Sequence, residues 1–497
     1  MSREFSASEV AAHNSQDDCW IIVNGKVFDV TEFMKKHPGG KKVLLNVAGK
    51  DATTQFQSLH QPGVLHQYDS LCIGTLAGTK KTNSRSSGSS PEDKYGSKIP
   101  FGEPSWYRGF KSPYYNESHA KFRETVRSFV ETEIMPYTHE WDEAGTFPPE
   151  LHEKAYRAGI YGAIWPEEYG GTPPKDFDAF HDLILIDELS RCAAGGVLWS
   201  CFFCFGIALP PVLKIGSKYL KDKVARDVIT GKKIMCLAVT EPYAGSDVAS
   251  LQTTAVRDGD FYIVNGAKKF ITGGMKADYF TTAVRTGGEG MGGISLLLIE
   301  KGSPGLSVRR MKTQGWWISN TAYVTFEDVR VPVKNLIGEE NKGFYSIMSN
   351  FNHERFVLAA MANRYARVCL EESIKYGRVR KTFGKRLVDH QVLRHKVADM
   401  SREIESTHAL LEQIAYQMQC GVNDRKLAGI IALCKVQATK TMEFCAREAS
   451  QIFGGNSYIR GGQGEKVERL YREVRVNAIG GGSEEVLMDL AMRQARL

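Results

Sequence analysis

Residues 77–98 read AGTKKTNSRSSGSSPEDKYGSK. The stretch is rich in Ser, Gly and Lys and almost free of large apolar side chains. Such a segment buries too little surface to offset the entropy of ordering it. It therefore divides the chain, and the parts on either side must fold as separate units. At 497 residues the chain is in any case too long for one compact core.

The front unit, residues 1–78, opens with a hairpin pattern. In CWIIVNGKVFDVT two β-branched runs are broken at Asn24-Gly25. A linker is assigned to 79–111. Behind it the pattern changes three times. Residues 112–233 are helical, with 3.6-residue periodicity in ESHAKFRETVRSFVETEIMPY and FDAFHDLILIDELSRC. Residues 234–343 read as strands, among them YFTTAVRT, GISLLLIEK and AYVTFEDVRVP. Residues 344–497 are helical again. The expectation is a multidomain α+β protein: a small α+β front, then an α bundle, a β domain and a C-terminal four-helix bundle.

The formal charge of +7 is mild for this length. It is compatible with anionic small molecules, and no Lys/Arg cluster with interleaved aromatics points to nucleic acid. The most apolar run, GGVLWSCFFCFGIALPPVL, contains glycines and a Pro210-Pro211 pair, so it reads as buried helix and loop with no membrane span. The ten cysteines are scattered, as in a reducing compartment, and Cys201 and Cys204 read as core packing. The N-terminus has early acids and no apolar segment of a secretory signal. The final Ala495-Arg496-Leu497 is a small-basic-Leu tripeptide, and a peroxisomal address is expected from it, ahead of a cytoplasmic or mitochondrial one.

The front carries TEFMKKHPGGKKVLLNVAGKDAT and, further on, FQSLHQP. The Pro38-Gly39-Gly40 turn lets His37 leave a helix end and face a crevice. A second imidazole across the slot, at His60, could bind iron on its other side. That leaves no open coordination position and suits electron transfer. With Trp20, VFDVTEF, HPGG, AGKDAT and FQSLH in this order, residues 5–78 resemble the cytochrome b5 family. The resemblance implies haem b held by His37 and His60. His66 is the alternative to His60, disfavoured because Phe56 and Leu59 set His60 in the family frame.

The second machinery begins at LAVTEPYAGSDVAS, residues 237–250. An apolar strand runs into a loop of small residues whose amides and hydroxyls can approach a flat ring or a phosphate. It lacks the G-x-G-x-x-G spacing of a dinucleotide fold. Further on come KKFITGG, GRVRKTFGKRLVDHQ and QIFGGNSY. These four motifs in order resemble the acyl-CoA dehydrogenase family over residues 112–497. The resemblance implies FAD contacts at Leu237, Val239, Thr240, Ser246, Phe270, Ile271 and Thr272. It also implies contacts to a neighbouring subunit's FAD at Arg380, Thr382 and Gln391, and to the FAD pyrophosphate at Gln451, Gly454 and Gly455. Gly482 and Glu484 fall beside the flavin in the same frame.

Dehydrogenation of a thioester needs a base for the α-proton, raised toward neutrality by desolvation, and hydrogen bonds to the thioester oxygen. In many family members that base is a glutamate near the C-terminus. Here the matching position in AIGGGSEEV is Gly481, which has no side chain. A subset of the family puts its base on an earlier helix and pairs it with a small residue at the later position. FNHERFVLAA places Glu354 there, beside Arg355. Glu354 is the expected base. Ser246, Asn352, Arg355 and Gly481 are the expected substrate contacts, with the backbone N–H near Gly481 serving the thioester oxygen. Trp316, Trp317 and Phe351 could line the acyl pocket or belong to the core.

The reading is an FAD-dependent acyl-CoA dehydrogenase yielding trans-2-enoyl-CoA, with electrons passed to the fused haem. The alternatives are an acyl-CoA oxidase-like enzyme using oxygen, and a non-catalytic binding protein. The expected partners are an acyl-CoA, an external electron donor or acceptor, and copies of the chain itself as a homodimer or homotetramer.

Overall fold

The computed structural model describes residues 3–60, 64–77 and 98–496, with backbone alone at 57–59, 66 and 67. The Ser/Gly/Lys-rich stretch from 78 to 97, Leu497 and the His66 side chain lie outside the described residues.

The front unit is a five-stranded sheet with short helices laid against it. Strands Asp18–Val23 and Lys26–Asp29 form the expected hairpin. Its turn uses positive φ at both Asn24 (51°) and Gly25 (74°), the two-residue geometry that matches strand twist. Ile21, Val23 and Phe28 lie on one buried face with Met34 and Leu44. Trp20 packs edge-on to Phe5 at 5.1 Å and holds the other face.

The second unit starts earlier than expected. Ile99, Trp106 and Tyr107 are buried, and Glu103 is 1% exposed. Its carboxylate accepts from Arg127 (2.9 Å) and Arg364 (3.0 Å) and pairs with Arg191. Residues 99–111 therefore belong to the helical body, not to the linker assigned to 79–111. KIPFGEPSWYRGFK has the Pro and Gly of a linker and no periodicity. What orders it is an ion cluster with residues up to 261 positions away, which local pattern cannot reveal.

Helices Glu117–Phe129 and Ala179–Ser190 begin at reciprocal caps, Asn116 with His119 and Asp178 with His181. Gly195–Ile215 is the apolar run. It is long and apolar enough to cross a membrane, but 72% of its apolar window is buried inside the protein. Cys201 and Cys204 lie within it, buried and free, as core packing requires.

An eight-stranded sheet follows, with Phe261–Ile271 between Thr254–Asp258 and Ala322–Pro332. Met235–Ala238 pairs in parallel with Tyr279–Arg285. Behind it stand the long helices Gly343–Val379, Gln391–Gln419, Asp424–Phe453 and Glu465–Ile479, with a shorter Glu484–Gln494. The Gly343–Val379 helix is central. It packs against Asp424–Phe453, Gln391–Gln419 and Ala179–Ser190 and is buried nearly all round. A helix apolar on most sides is stable only in the middle of a bundle.

Candidate active site and haem site

His37 follows the short helix Phe33–Lys35, and His60 closes the helix Thr53–Leu59. Their ring centroids stand 6.0 Å apart. Two metal–imidazole bonds of about 2 Å each, with each ring centre about 1 Å behind its nitrogen, span that distance. Each Nδ1 lies 3.3 Å from a backbone carbonyl, Gly40 for His37 and Phe56 for His60. Donation of Nδ1–H to those carbonyls fixes the tautomer and leaves both Nε2 lone pairs for a metal. Burial, chiefly, lowers the pKa of His60, which favours the neutral ligand form. The glycines have separate reasons. A Cβ on Gly39 would sit 2.9 Å from Cε1 of His37, and Gly40 has φ +79°. The residues fit a bis-histidine haem.

In the second unit, Leu237, Val239 and Thr240 end the strand Met235–Ala238, and Phe270, Ile271 and Thr272 end Phe261–Ile271. The amide of Lys269 donates to the Thr240 carbonyl at 2.8 Å, which joins the two motifs into one shelf. Phe270 has φ +62° and is 55% exposed, so its ring stands on open surface at the end of this shelf. Ser246 lies in the exposed loop beside it. Hydroxyls, amides and an uncovered flat ring suit an isoalloxazine.

Behind the shelf is a buried pair that sequence reasoning missed. Lys268 donates to Glu241 Oε1 (2.7 Å) and to the Val239 carbonyl (3.0 Å). Glu241 also accepts from the amides of Gln252 (2.6 Å) and Thr253 (2.9 Å). Burial, against the pull of Glu241, lowers the Lys268 ammonium to about 8. A lysine in a strand gives no sign in sequence that it points inward.

Arg380, Gln391, Gln451, Gly454 and Gly455 are exposed, and Thr382 is half-buried with its Oγ1 3.3 Å from His390 Nε2. The two motifs meet at one end of the bundle. Tyr376 stacks on Phe453 at 4.3 Å, and Asn456 Nδ2 donates to the Tyr376 hydroxyl at 3.2 Å. They lie on the outer surface of the chain, where a neighbouring subunit could reach them.

Glu354 is buried on the Gly343–Val379 helix, and its Oε2 has no hydrogen-bond partner among the described residues. It lines a largely apolar cavity with Tyr161, Trp165, Trp199, Phe203 and His353. Burial raises the carboxyl to about 7, opposed by Arg355, Lys435 and His353. Opposite stands Gly481. A Cβ there would lie 3.9 Å from Glu354 Oε1. The two positions expected to exchange the base therefore adjoin.

The Gly480–Gly482 turn is held from two sides. Arg355 Nε donates to the Gly481 carbonyl at 2.9 Å. Lys435 Nζ donates to the carbonyls of Ala478 (2.6 Å) and Gly482 (3.0 Å). In sequence a lysine in a long helix reads as a solvated charge, and nothing local marks Lys435 as buried. Burial lowers it to about 8, against the attraction of Glu484 and Glu354. Glu484 heads the helix Glu484–Gln494 with Oε1 unpartnered among the described residues.

Asn352 is placed differently from expectation. Its Nδ2 donates to the Asp424 carbonyl at 2.7 Å, and it lines a second cavity with Lys214 and Met418. Two helical steps are about 200° of rotation, which turns Asn352 away from the side that Glu354 faces. Trp316, Trp317 and Phe351 do not line the Glu354 cavity. Trp316 stacks on Trp199 at 5.7 Å, and Trp317 lies under Arg472 at 3.9 Å.

The fold and these two sites define a class: a flavin-dependent oxidoreductase of CoA thioesters with a haem module in front. Comparison with known proteins agrees. Residues 116–232, 236–329 and 341–495 match the N-terminal, middle and C-terminal domain models of acyl-CoA dehydrogenase. Residues 6–77 match the cytochrome b5-like haem/steroid-binding domain. The chain belongs to the acyl-CoA dehydrogenase family and carries a cytochrome b5-like domain; its cofactors are FAD and haem. It is 42% identical over 416 residues to acyl-CoA dehydrogenase AFT10-1 of Alternaria alternata, covering 80% of this chain and 96% of that one. Among solved structures it resembles an acyl-CoA dehydrogenase from Geobacillus kaustophilus (32% identity, TM-score 0.72, 78% of this chain and 100% of that one). It also resembles butyryl-CoA dehydrogenase from Megasphaera elsdenii (29% identity, TM-score 0.72, 78% and 100%).

Proposed function

We propose that this enzyme converts an acyl-CoA to its trans-2-enoyl-CoA with Glu354 as the base, and that the electrons pass to the haem of the same chain. The observation that carries the first part is the unpartnered Glu354 carboxylate, raised to about 7 in an apolar cavity. FAD, when bound, supplies the acceptor for the hydride that leaves the β-carbon. Glu354 takes the α-proton, and the electron pair of that C–H bond becomes the new double bond. The Gly481 region offers a backbone N–H for the thioester oxygen, and Arg355 and Lys435 keep that turn in place. The apolar wall excludes water and so keeps the carboxylate basic.

For the electron route, the support is an approach of the two units. The helix Thr53–Leu59, which ends at His60, comes against the turn Gly462–Gly464 of the C-terminal domain. Anaerobic addition of an acyl-CoA to the full chain tests the route. Haem reduction should follow flavin reduction, and deletion of residues 1–78 should leave flavin reduction intact while removing fast reoxidation. Haem that stays oxidised beside fully reduced flavin would assign the module to an outside partner. We further propose a homo-oligomer, because Arg380 and Gln451 stand exposed on the outer surface, open to a second copy of the chain, and a peroxisomal location on the C-terminal tripeptide. Sedimentation and imaging of a tagged chain with a free C-terminus check these.

A further inference from the structure

The slot between His37 and His60 has two unlike walls. Residues 33–50, which carry His37, hold five lysines and no Asp or Glu. Residues 52–68, which carry His60, hold no Asp, Glu, Lys or Arg. The neutral wall supplies the contact with the body, where its helix Thr53–Leu59 meets the turn Gly462–Gly464. The basic wall is open to solvent: Lys35, Lys36, Lys41 and Lys42 are all exposed with the module seated on the rest of the chain.

Local structure keeps these four lysines close to His37. The turn Phe33–Lys35 ends just before it, and the helix Lys41–Leu45 starts just after it. All four lie within five residues of His37. Between them Pro38, Gly39 and Gly40 are exposed, and Val43 is 39% exposed. The face thus has a flat, partly apolar centre inside a charged rim, the plan of a non-obligate protein interface. The charges are largely uncompensated. Lys35 meets Glu32 at 3.4 Å on the surface, and Lys41 donates to the neutral Gln16 at 3.2 Å. Lys36 and Lys42 have no ion pair among the described residues. Like charges so near one another repel, and a partner of opposite charge relieves that repulsion.

Resting on the reading that electrons reach the haem of this chain, we propose that the face around His37 docks an acidic protein that accepts one electron at a time. Charge steers the encounter, and the exposed Pro38-Gly39-Gly40 turn lets the partner's surface approach the slot closely. Each encounter oxidises the module by one electron and reduces the partner by one. Two encounters therefore clear the pair taken from each acyl-CoA. A lipid surface matches the charge but accepts no electron, so an acidic redox protein is the fitting occupant.

The test uses the full chain with both cofactors, reduced by dithionite so that no acyl-CoA reaction is needed. Plastocyanin, an acidic copper protein, and cytochrome c, a basic haem protein, serve as one-electron acceptors. Haem oxidation is followed by stopped flow at about 0.01 M and about 0.1 M salt, between which the screening length falls from about 30 Å to about 10 Å. Plastocyanin should react about tenfold faster than cytochrome c at low salt and lose most of that advantage at the higher salt. Neither the Lys36 nor the Lys42 side chain has an ion pair to lose, so Lys36→Glu with Lys42→Glu should keep its haem, and it should reverse the preference. Carbodiimide cross-linking of plastocyanin to the same chain gives a readout independent of electron transfer: the linked residues should be among Lys35, Lys36, Lys41 and Lys42. Equal rates with the two acceptors, a preference unchanged in the double variant, or cross-links elsewhere would overturn the proposal. Binding to phosphatidylserine vesicles that the double variant loses, without any preference for plastocyanin, would also overturn it and assign the face to a lipid surface. The predicted preference, together with haem that acyl-CoA never reduces, would instead overturn the internal electron route, while the docking face would stand.

Discussion

The missing side chain of Gly481 would begin beside the carboxylate of Glu354: a Cβ on Gly481 would lie 3.9 Å from Glu354 Oε1. Two positions 127 apart in the chain thus present alternative mounts for one base. Glu354→Gln keeps the shape and cannot accept a proton. We predict normal FAD content and a loss of flavin reduction of about 10³-fold, read by anaerobic stopped flow. Moving the base back, with Glu354→Gly and Gly481→Glu, meets an obstacle: the new Cβ would be 2.7 Å from Leu358 Cδ1. Adding Leu358→Ala should therefore recover more activity than the double variant alone.

The pH dependence follows from the carboxyl at about 7, raised by burial against Arg355, Lys435 and His353. Only the carboxylate accepts the α-proton, so flavin reduction should rise with pH through about 7 and then level off. Stability should run the other way. The unfolded carboxyl releases its proton near 4.5, whereas the folded one keeps it to about 7. Between these values the folded state binds more protons, so stability falls as pH rises, by of order 3 kcal/mol. Glu354→Gln removes that contribution. Its gain in Tm over the unaltered protein should grow from about pH 5 to about pH 8, and a constant difference would refute the assignment.

Lys435 should act through its neighbours. Lys435→Met keeps the length and removes the cation from the carbonyls of Ala478 and Gly482. It also removes one of the charges that hold Glu354 down. We expect kcat to fall about tenfold, by the loss of turn geometry, and the midpoint of the pH profile to move upward. A lower kcat with an unmoved midpoint would reduce Lys435 to a structural role.

At the haem, His37→Ala and His60→Ala should each abolish the six-coordinate low-spin spectrum, because each would remove one of the two imidazoles that would hold the iron. Gly39→Ala gives a finer test. Its Cβ would press on His37 Cε1 at 2.9 Å, and should lower haem retention without removing a ligand. Retention of the low-spin spectrum in His60→Ala, with its loss in His66→Ala, would move the ligand to His66.

Much of this protein is legible in its sequence because the relevant signals are local. Asn24-Gly25 can make its turn only with positive φ at both residues, and HPGG places a histidine at a helix end whatever surrounds it. Changes of periodicity mark where helices give way to sheet and return. Motif residues such as Thr240, Phe270 and Gln451 keep fixed places in these elements. The pairing of Glu354 with Gly481 was also readable, through a resemblance and not through composition. What tertiary structure alone decided are the fates of charges and rings. Glu103 is a loop acid until Arg127, Arg191 and Arg364 converge on it, and that convergence turns an apparent linker into core. Lys435 and Lys268 have the same side chain as the exposed lysines, and only the surrounding helices and sheet bury them. Asn352 and Glu354 are two residues apart, yet helix rotation sends them to different cavities. The physical reason for the buried charges is that backbone preference acts over a few residues, whereas desolvation and ion pairing depend on which distant segments close around a side chain.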